Sequence, residues 1–135
     1  MRRVFLDTNF IIDYFIREDY CGDAEKVLKL KDTNNLEFFI SYLTVANFAY
    51  IMRKLSPQSL RELIANICDT FNIVDNTKDQ ILQNLDNNAN DFEDGLQYQA
   101  AVSAGCGCLI TRNKKDFTFA KIPVLTPSEF VSCFG

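Results

Sequence analysis

The chain has 135 residues, 47% hydrophobic and 24% charged, the balance of one ordinary globular domain spanning residues 1–135. It contains no histidine, which excludes imidazole general bases, catalytic triads built on imidazole and histidine-ligated transition metals. A net charge of -4 opposes generalised nucleic-acid binding, so a polyanionic partner has to be drawn by local basic groups.

Residues 3–6 form a short apolar run that reads as a buried parallel strand. The run breaks at Asp7, Thr8 and Asn9 before apolar residues resume at Phe10, Ile11 and Ile12. Ala24, Val27, Leu28 and Lys31 fit a 3.6-residue period and predict a helix. A second strand is predicted over 38–41, followed by a helix over 43–54 that is apolar on nearly all sides yet carries Asn47 one turn from its start. Ser56 as N-cap and Pro57 at the first helical position launch a helix through Leu60, Leu63, Ile64 and Ile67.

A third strand at 71–74 precedes Thr77 and Gln80, which form a capping-box pattern, and the Asn-rich segment 84–90 reads as a loop between helices. Asp91 suits the cap of a helix containing Leu96, Ala100, Ala101 and Ala104, with Asp94 in its first turn. Strands follow at 108–111 and 123–125, and Thr126, Pro127 and Glu129 make a second capping box.

Strands alternating with helices at this length predict an α/β fold, a three-layer α/β/α sandwich around a central parallel sheet with right-handed crossovers. Strand C-termini and helix N-termini then meet along one edge, where such folds place their sites. Asp7, Asp94 and the segment Thr111, Arg112, Asn113, Lys114, Lys115 and Asp116 all fall on that edge, as does Asn47. Each has a plainer reading in isolation: Asp7 as a helix cap, Asp94 as a complement to a helix dipole, 111–116 as a polar loop, Asn47 as a satisfied buried amide. Their coincidence on one edge argues for a shared purpose.

Three aspartates within about 5 Å would repel pairwise by about 3 kcal/mol at an effective dielectric near 20. A hard dication such as Mg²⁺ or Mn²⁺ offsets that repulsion, because it prefers oxygen ligands and keeps several waters. Asp7, Asp94 and Asp116 are therefore the candidate metal ligands and, with Asn47, the candidate catalytic set. Thr8, Asn9, Thr111, Arg112, Asn113, Lys114 and Lys115 are candidates for substrate contact.

Zinc does not suit the sequence. Cys106 and Cys108 are spaced too closely for a ligand knuckle, and neither a second cysteine pair nor a histidine completes a tetrahedral set. Five irregularly spaced cysteines, and only three apolar residues between Arg3 and Asp7, point to a reducing cytoplasm without a signal peptide. The longest apolar stretch, 45–52, is broken by Asn47 and too short for a bilayer span, so no membrane is expected.

The motifs VFLDTNFIIDYF, SYLTVANFAYIMRK, DFEDGLQYQAAVSAGC and LITRNKKDF occur in an order and spacing that resembles the PIN domain family, within it the VapC-like toxin ribonucleases. The resemblance covers essentially the whole chain. It implies strand order 3-2-1-4-5, Mg²⁺ or Mn²⁺ dependence, cleavage of single-stranded RNA, homodimerisation and inhibition by an antitoxin protein. By position, Asp7 matches the first acidic ligand, Asp94 the third and Asp116 the fourth, with Thr111 and Asn113 in the same motif. Asn47 stands where the family usually carries glutamate.

That departure supports a second reading, a catalytically weak or inactive PIN-like module that binds RNA or an antitoxin-like protein. A phosphatase-type use of Asp7 as nucleophile is disfavoured, since Asn9 occupies the place of the second aspartate.

Overall fold

The computed structural model of the chain describes residues 2–86 and 91–134. Five strands form one parallel sheet: β1 (Arg2–Leu6), β2 (Leu36–Ser41), β3 (Asn72–Val74), β4 (Cys108–Ile110) and β5 (Val124–Leu125), in the order β3-β2-β1-β4-β5. Between them run α1 (Thr8–Phe15), α2 (Glu18–Lys29), α3 (Lys31–Asn34), α4 (Tyr42–Ile51), α5 (Pro57–Thr70), α6 (Lys78–Gln83) and α7 (Phe92–Ser103), with α8 (Pro127–Phe134) closing the chain. The expected three-layer sandwich and strand order are thus observed.

Alternation along the strands sorts the core into two faces. Val4, Leu6, Phe38, Ile40 and Ile110 point to one side, where they pack with Phe10, Ile11, Val27, Phe48, Ile67 and Phe130 from the helices. Phe5 and Leu109 point to the other, against Ala100 and Ala101 of α7 and Phe117. Burial of both faces explains why β1 reads as an unbroken apolar run rather than an alternating one. The small residues on α7 let that helix lie close to the sheet, which carries its first turn to the edge where β1 ends.

Helix starts follow the capping chemistry in the sequence. Ser56 accepts from the Ser59 N–H with Pro57 behind it, and Thr77 with Gln80 closes a reciprocal capping box. Thr126 and Glu129 do the same at α8, with bonds of 2.9 and 3.2 Å. The helix expected over 43–54 ends sooner, at Ile51, because the chain tightens there into turns closed by Arg53 N–H to Tyr50 O and Leu55 N–H to Met52 O. Nor is α4 hidden on all sides: Thr44 and Phe48 are buried, whereas Tyr42, Tyr50 and Ile51 are exposed. Of the expected Asn-rich loop, residues 87–90 lie outside the described residues, while Asn84 is buried at the end of α6 and donates to the Phe92 carbonyl at 2.7 Å.

Phe48 is fully buried and its ring lies 5.5 Å from that of Phe15, joining α4 to α1. Phe48→Ala should therefore cost about 3–5 kcal/mol of stability, read by urea denaturation as a lower midpoint at an unchanged slope.

Candidate functional site at the carboxyl edge of the sheet

The register of β1 on β4 pairs Leu6 with Ile110, so the next residues, Asp7 and Thr111, emerge side by side. Asp7 is buried and caps α1, one carboxylate oxygen accepting from the Phe10 N–H at 3.0 Å. Its other oxygen accepts from the Thr111 hydroxyl at 2.7 Å. The capping and site readings of Asp7 are thus compatible. Thr111 Oγ1 in turn accepts from the Asn113 N–H at 3.1 Å, which shapes the loop leading to the short 3₁₀ turn Lys114–Phe117 that carries Asp116.

Asp94 reaches the same edge on the first turn of α7, behind Asp91, whose side chain caps the helix by accepting from the Asp94 N–H. Burial pushes the Asp94 carboxyl up to about 7, and repulsion from Asp91, Asp116, Asp7 and Glu93 adds to the rise. Asp7 is pushed up to about 6, chiefly by burial, against the lowering effect of its bonds from Thr111 and Phe10. Asp94 thus lies within electrostatic reach of both Asp7 and Asp116.

Two threonines and a glutamine lock these helix ends together. Thr8 and Thr44 hydroxyls lie 2.8 Å apart, and the Gln97 amide donates to them at 2.9 and 3.2 Å respectively. The Gln97 carbonyl oxygen is buried without a hydrogen-bond partner among the described residues. The first turns of α1 and α4 and the second turn of α7 are therefore held by one buried amide. Neither Gln97 nor Thr44 is visible from spacing alone, because their partners lie far apart in the chain.

Asn47 does not stand as an isolated amide. Its Nδ2 donates to Glu93 Oε1 at 2.8 Å, linking α4 to the residue before Asp94. Asn9 lies half-buried in the first turn of α1.

The basic residues divide. Arg112, expected to contact phosphate, instead donates to buried Asp13 at 3.0 and 3.3 Å and stacks on Tyr20 with 4.0 Å to the ring centroid. Arg17 contributes a further bond to Asp13 at 3.3 Å. Asp13 sits in an otherwise apolar turn of α1, and its burial demands these cations. Lys114 pairs with Glu129 at 3.0 Å on the surface, whereas Lys115 is exposed and makes no ion pair among the described residues.

Among the described residues no three carboxylates or thiols close into a formed ligand cage. The donor chemistry nonetheless suits one class of ion: the side chains of Asp7, Asp94 and Asp116 offer oxygen alone, and Mg²⁺ commonly binds through one or two carboxylates with retained waters. Two cavities, of about 580 and 510 Å³, lie elsewhere, the first around Arg2, Cys108 and Phe134 and the second around Gln80, Tyr98 and Lys121.

Comparison with known proteins agrees with this architecture. The family model for the PIN domain matches residues 3–115, and the chain belongs to the PIN domain family. It is 29% identical over 137 residues to Ribonuclease VapC1 of Aquifex aeolicus, covering 95% of this chain and 92% of that protein. Its fold matches a toxin-antitoxin complex from Klebsiella pneumoniae with a TM-score of 0.68 at 26% identity, covering 92% of this chain and 97% of the other. VapBC-1 of nontypeable Haemophilus influenzae matches with a TM-score of 0.67 at 21% identity, covering 93% and 98%.

Raised carboxyl values make the ionised site a cost to the metal-free fold. A carboxyl whose folded value lies above its unfolded one contributes stability at low pH that is lost as pH rises through the folded value. For Asp7, raised from 3.8 to about 6, the two-unit shift corresponds to about 3 kcal/mol. Asp7→Asn retains only part of the acceptor capacity, so in metal-free buffer it should stabilise the chain by about 1–2 kcal/mol near pH 8 and lose the gain near pH 4, read by thermal melts across pH. Arg112→Ala should act oppositely, destabilising by about 2–3 kcal/mol in the same melts, since it strips the main partner from buried Asp13.

Proposed function

We propose that this chain is a divalent-metal-dependent ribonuclease that cleaves phosphodiester bonds of single-stranded RNA, acting in the cytoplasm as the toxin of a toxin-antitoxin pair. The observation that supports the reading best is Asp94 on the first turn of α7, lifted to about 7 by burial and by negative neighbours that include Asp116 and Asp7. Membership of the PIN family and the extent of the match to a protein named ribonuclease support it.

Asp7, Asp94 and Asp116 would hold Mg²⁺ or Mn²⁺. Such an ion, when bound, offsets charge on a phosphodiester and lowers the pKa of water. The protein's own part is to keep the acids in place: Thr111 holds Asp7, the Asp91 cap holds the first turn of α7, and Gln97, one turn further on, fastens α7 to α1 and α4. Contact with phosphate falls to Lys115 first, and to Lys114 on release of its exposed pair with Glu129, which holds it weakly. Asn9 and Asn113 add polar donors at the same edge. Arg112 serves the reading indirectly, by fastening α1 to the end of β4.

A protein antitoxin as partner and a homodimer complete the proposal. Several proteins of matching fold are VapBC complexes, and α4 exposes Tyr42, Tyr50 and Ile51 as apolar surface that a partner chain would cover.

Purified protein should cleave single-stranded RNA only with Mn²⁺ or Mg²⁺ present, and Asp7→Asn should abolish the cleavage; equal rates in the two proteins would overturn the reading. At sub-saturating Mn²⁺ the rate should climb between about pH 5 and pH 8, because both raised carboxyls must lose their protons to take the ion.

A further inference from the structure

We infer that the cavity between α6, α7 and the loop after the 3₁₀ turn holds one base of single-stranded RNA, by stacking and by the base's hydrogen-bonding edge. This rests on the ribonuclease reading above and gives its substrate an anchor away from the acids. The cavity measures about 510 Å³, and Gln80 and Gln83 of α6, Tyr98 and Gln99 of α7, and Phe119 and Lys121 are among the residues lining it. A pocket of that size admits a nucleobase.

Its wall combines what a splayed base is recognised by, aromatic faces and polar groups for the base edge. Tyr98 and Phe119 meet edge to face with 5.3 Å between ring centroids, and Phe119 is also stacked on buried Phe117, so its ring is held ready. The polar groups are incompletely used within the protein. Gln99 Oε1 is buried without a hydrogen-bond partner among the described residues, a state that costs free energy. The terminal torsion of a glutamine is soft, so a turn of that amide alone presents the oxygen to a donor in the cavity. Gln80 Oε1 accepts from the Thr77 N–H and Tyr98 Oη from the Lys121 N–H, which leaves the Gln80 amide nitrogen and the Tyr98 hydroxyl proton to donate. Lys121 is exposed, makes no ion pair among the described residues, and suits a phosphate.

The cavity is also continuous with the acidic edge. Tyr98 follows Asp94 by four residues on the same face of α7, about 6 Å further along the axis. Phe119 follows Asp116 by three residues. A strand lying over Asp94 and continuing along α7 therefore brings a neighbouring base to the rings and amides.

Fluorescence anisotropy of short oligo(A), oligo(C) and oligo(U) on the full chain, in EDTA to suppress cleavage, tests the assignment. Phe119→Leu keeps the apolar bulk and removes the aromatic face, and should weaken binding about fivefold or more. Gln83→Ala, at an exposed side chain, should leave thermal melts unchanged and level the preference of the wild type among the three strands. Wild-type affinity in Phe119→Leu, unchanged preference in Gln83→Ala, or a wild type that binds all three alike or none would overturn the base site. So would a free nucleotide that competes as well as the strand, which would mark a mononucleotide pocket. Each of these leaves the ribonuclease reading standing, whereas equal cleavage by wild type and Asp7→Asn removes that reading whatever the cavity binds.

Discussion

The pairing of β1 with β4 is the constraint on which the molecule's chemistry depends. Because Leu6 lies opposite Ile110, Asp7 and Thr111 leave the sheet together, and a buried carboxylate finds a hydroxyl donor on one side and a helix amide on the other. A one-residue slip would turn Asp7 toward the opposite face and bring Val4 and Leu6 out of the core they share with Phe10 and Ile40. The same apolar contacts that stabilise the sheet therefore set the position of its most consequential acid.

Around that fixed point the protein keeps two kinds of acid. Asp13 is buried and answered by Arg112 and Arg17, so its charge is settled within the fold. Asp7 is answered by two hydrogen bonds rather than by an ion pair, and burial pushes both Asp7 and Asp94 upward. The contrast separates an acid answered by cations from acids that make no ion pair among the described residues. Placing Arg112 with the first kind also explains how a chain of net charge -4 orders the segment after β4 without surrendering every cation of that loop.

Much of this was legible in the sequence where the signal was local. Short apolar runs marked the strands, capping residues marked the starts of α5, α6 and α8, and an aspartate after β1 stood out against its apolar neighbours. The Asp91 cap and the placement of Asp94 on the first turn followed from spacing as well. What escaped depends on contacts between distant segments. Arg112 reads as a free loop cation until Asp13, 99 residues away, is seen to hold it. Gln97 reads as an ordinary surface polar residue on α7, and only the approach of α1 and α4 makes it a buried junction. Asn47 read as a satisfied buried amide, but the residue it bonds, Glu93, lies on another helix and is not visible from spacing.

The Gln97 junction has a consequence for how this edge tolerates change. Its amide bonds tie three helices together below the surface without using any carboxylate, so the scaffold of the rim does not depend on which acids decorate it. Exposed side chains above it can then change with little penalty to the architecture. The interior amide, rather than the acids above it, is the part of the design least free to vary.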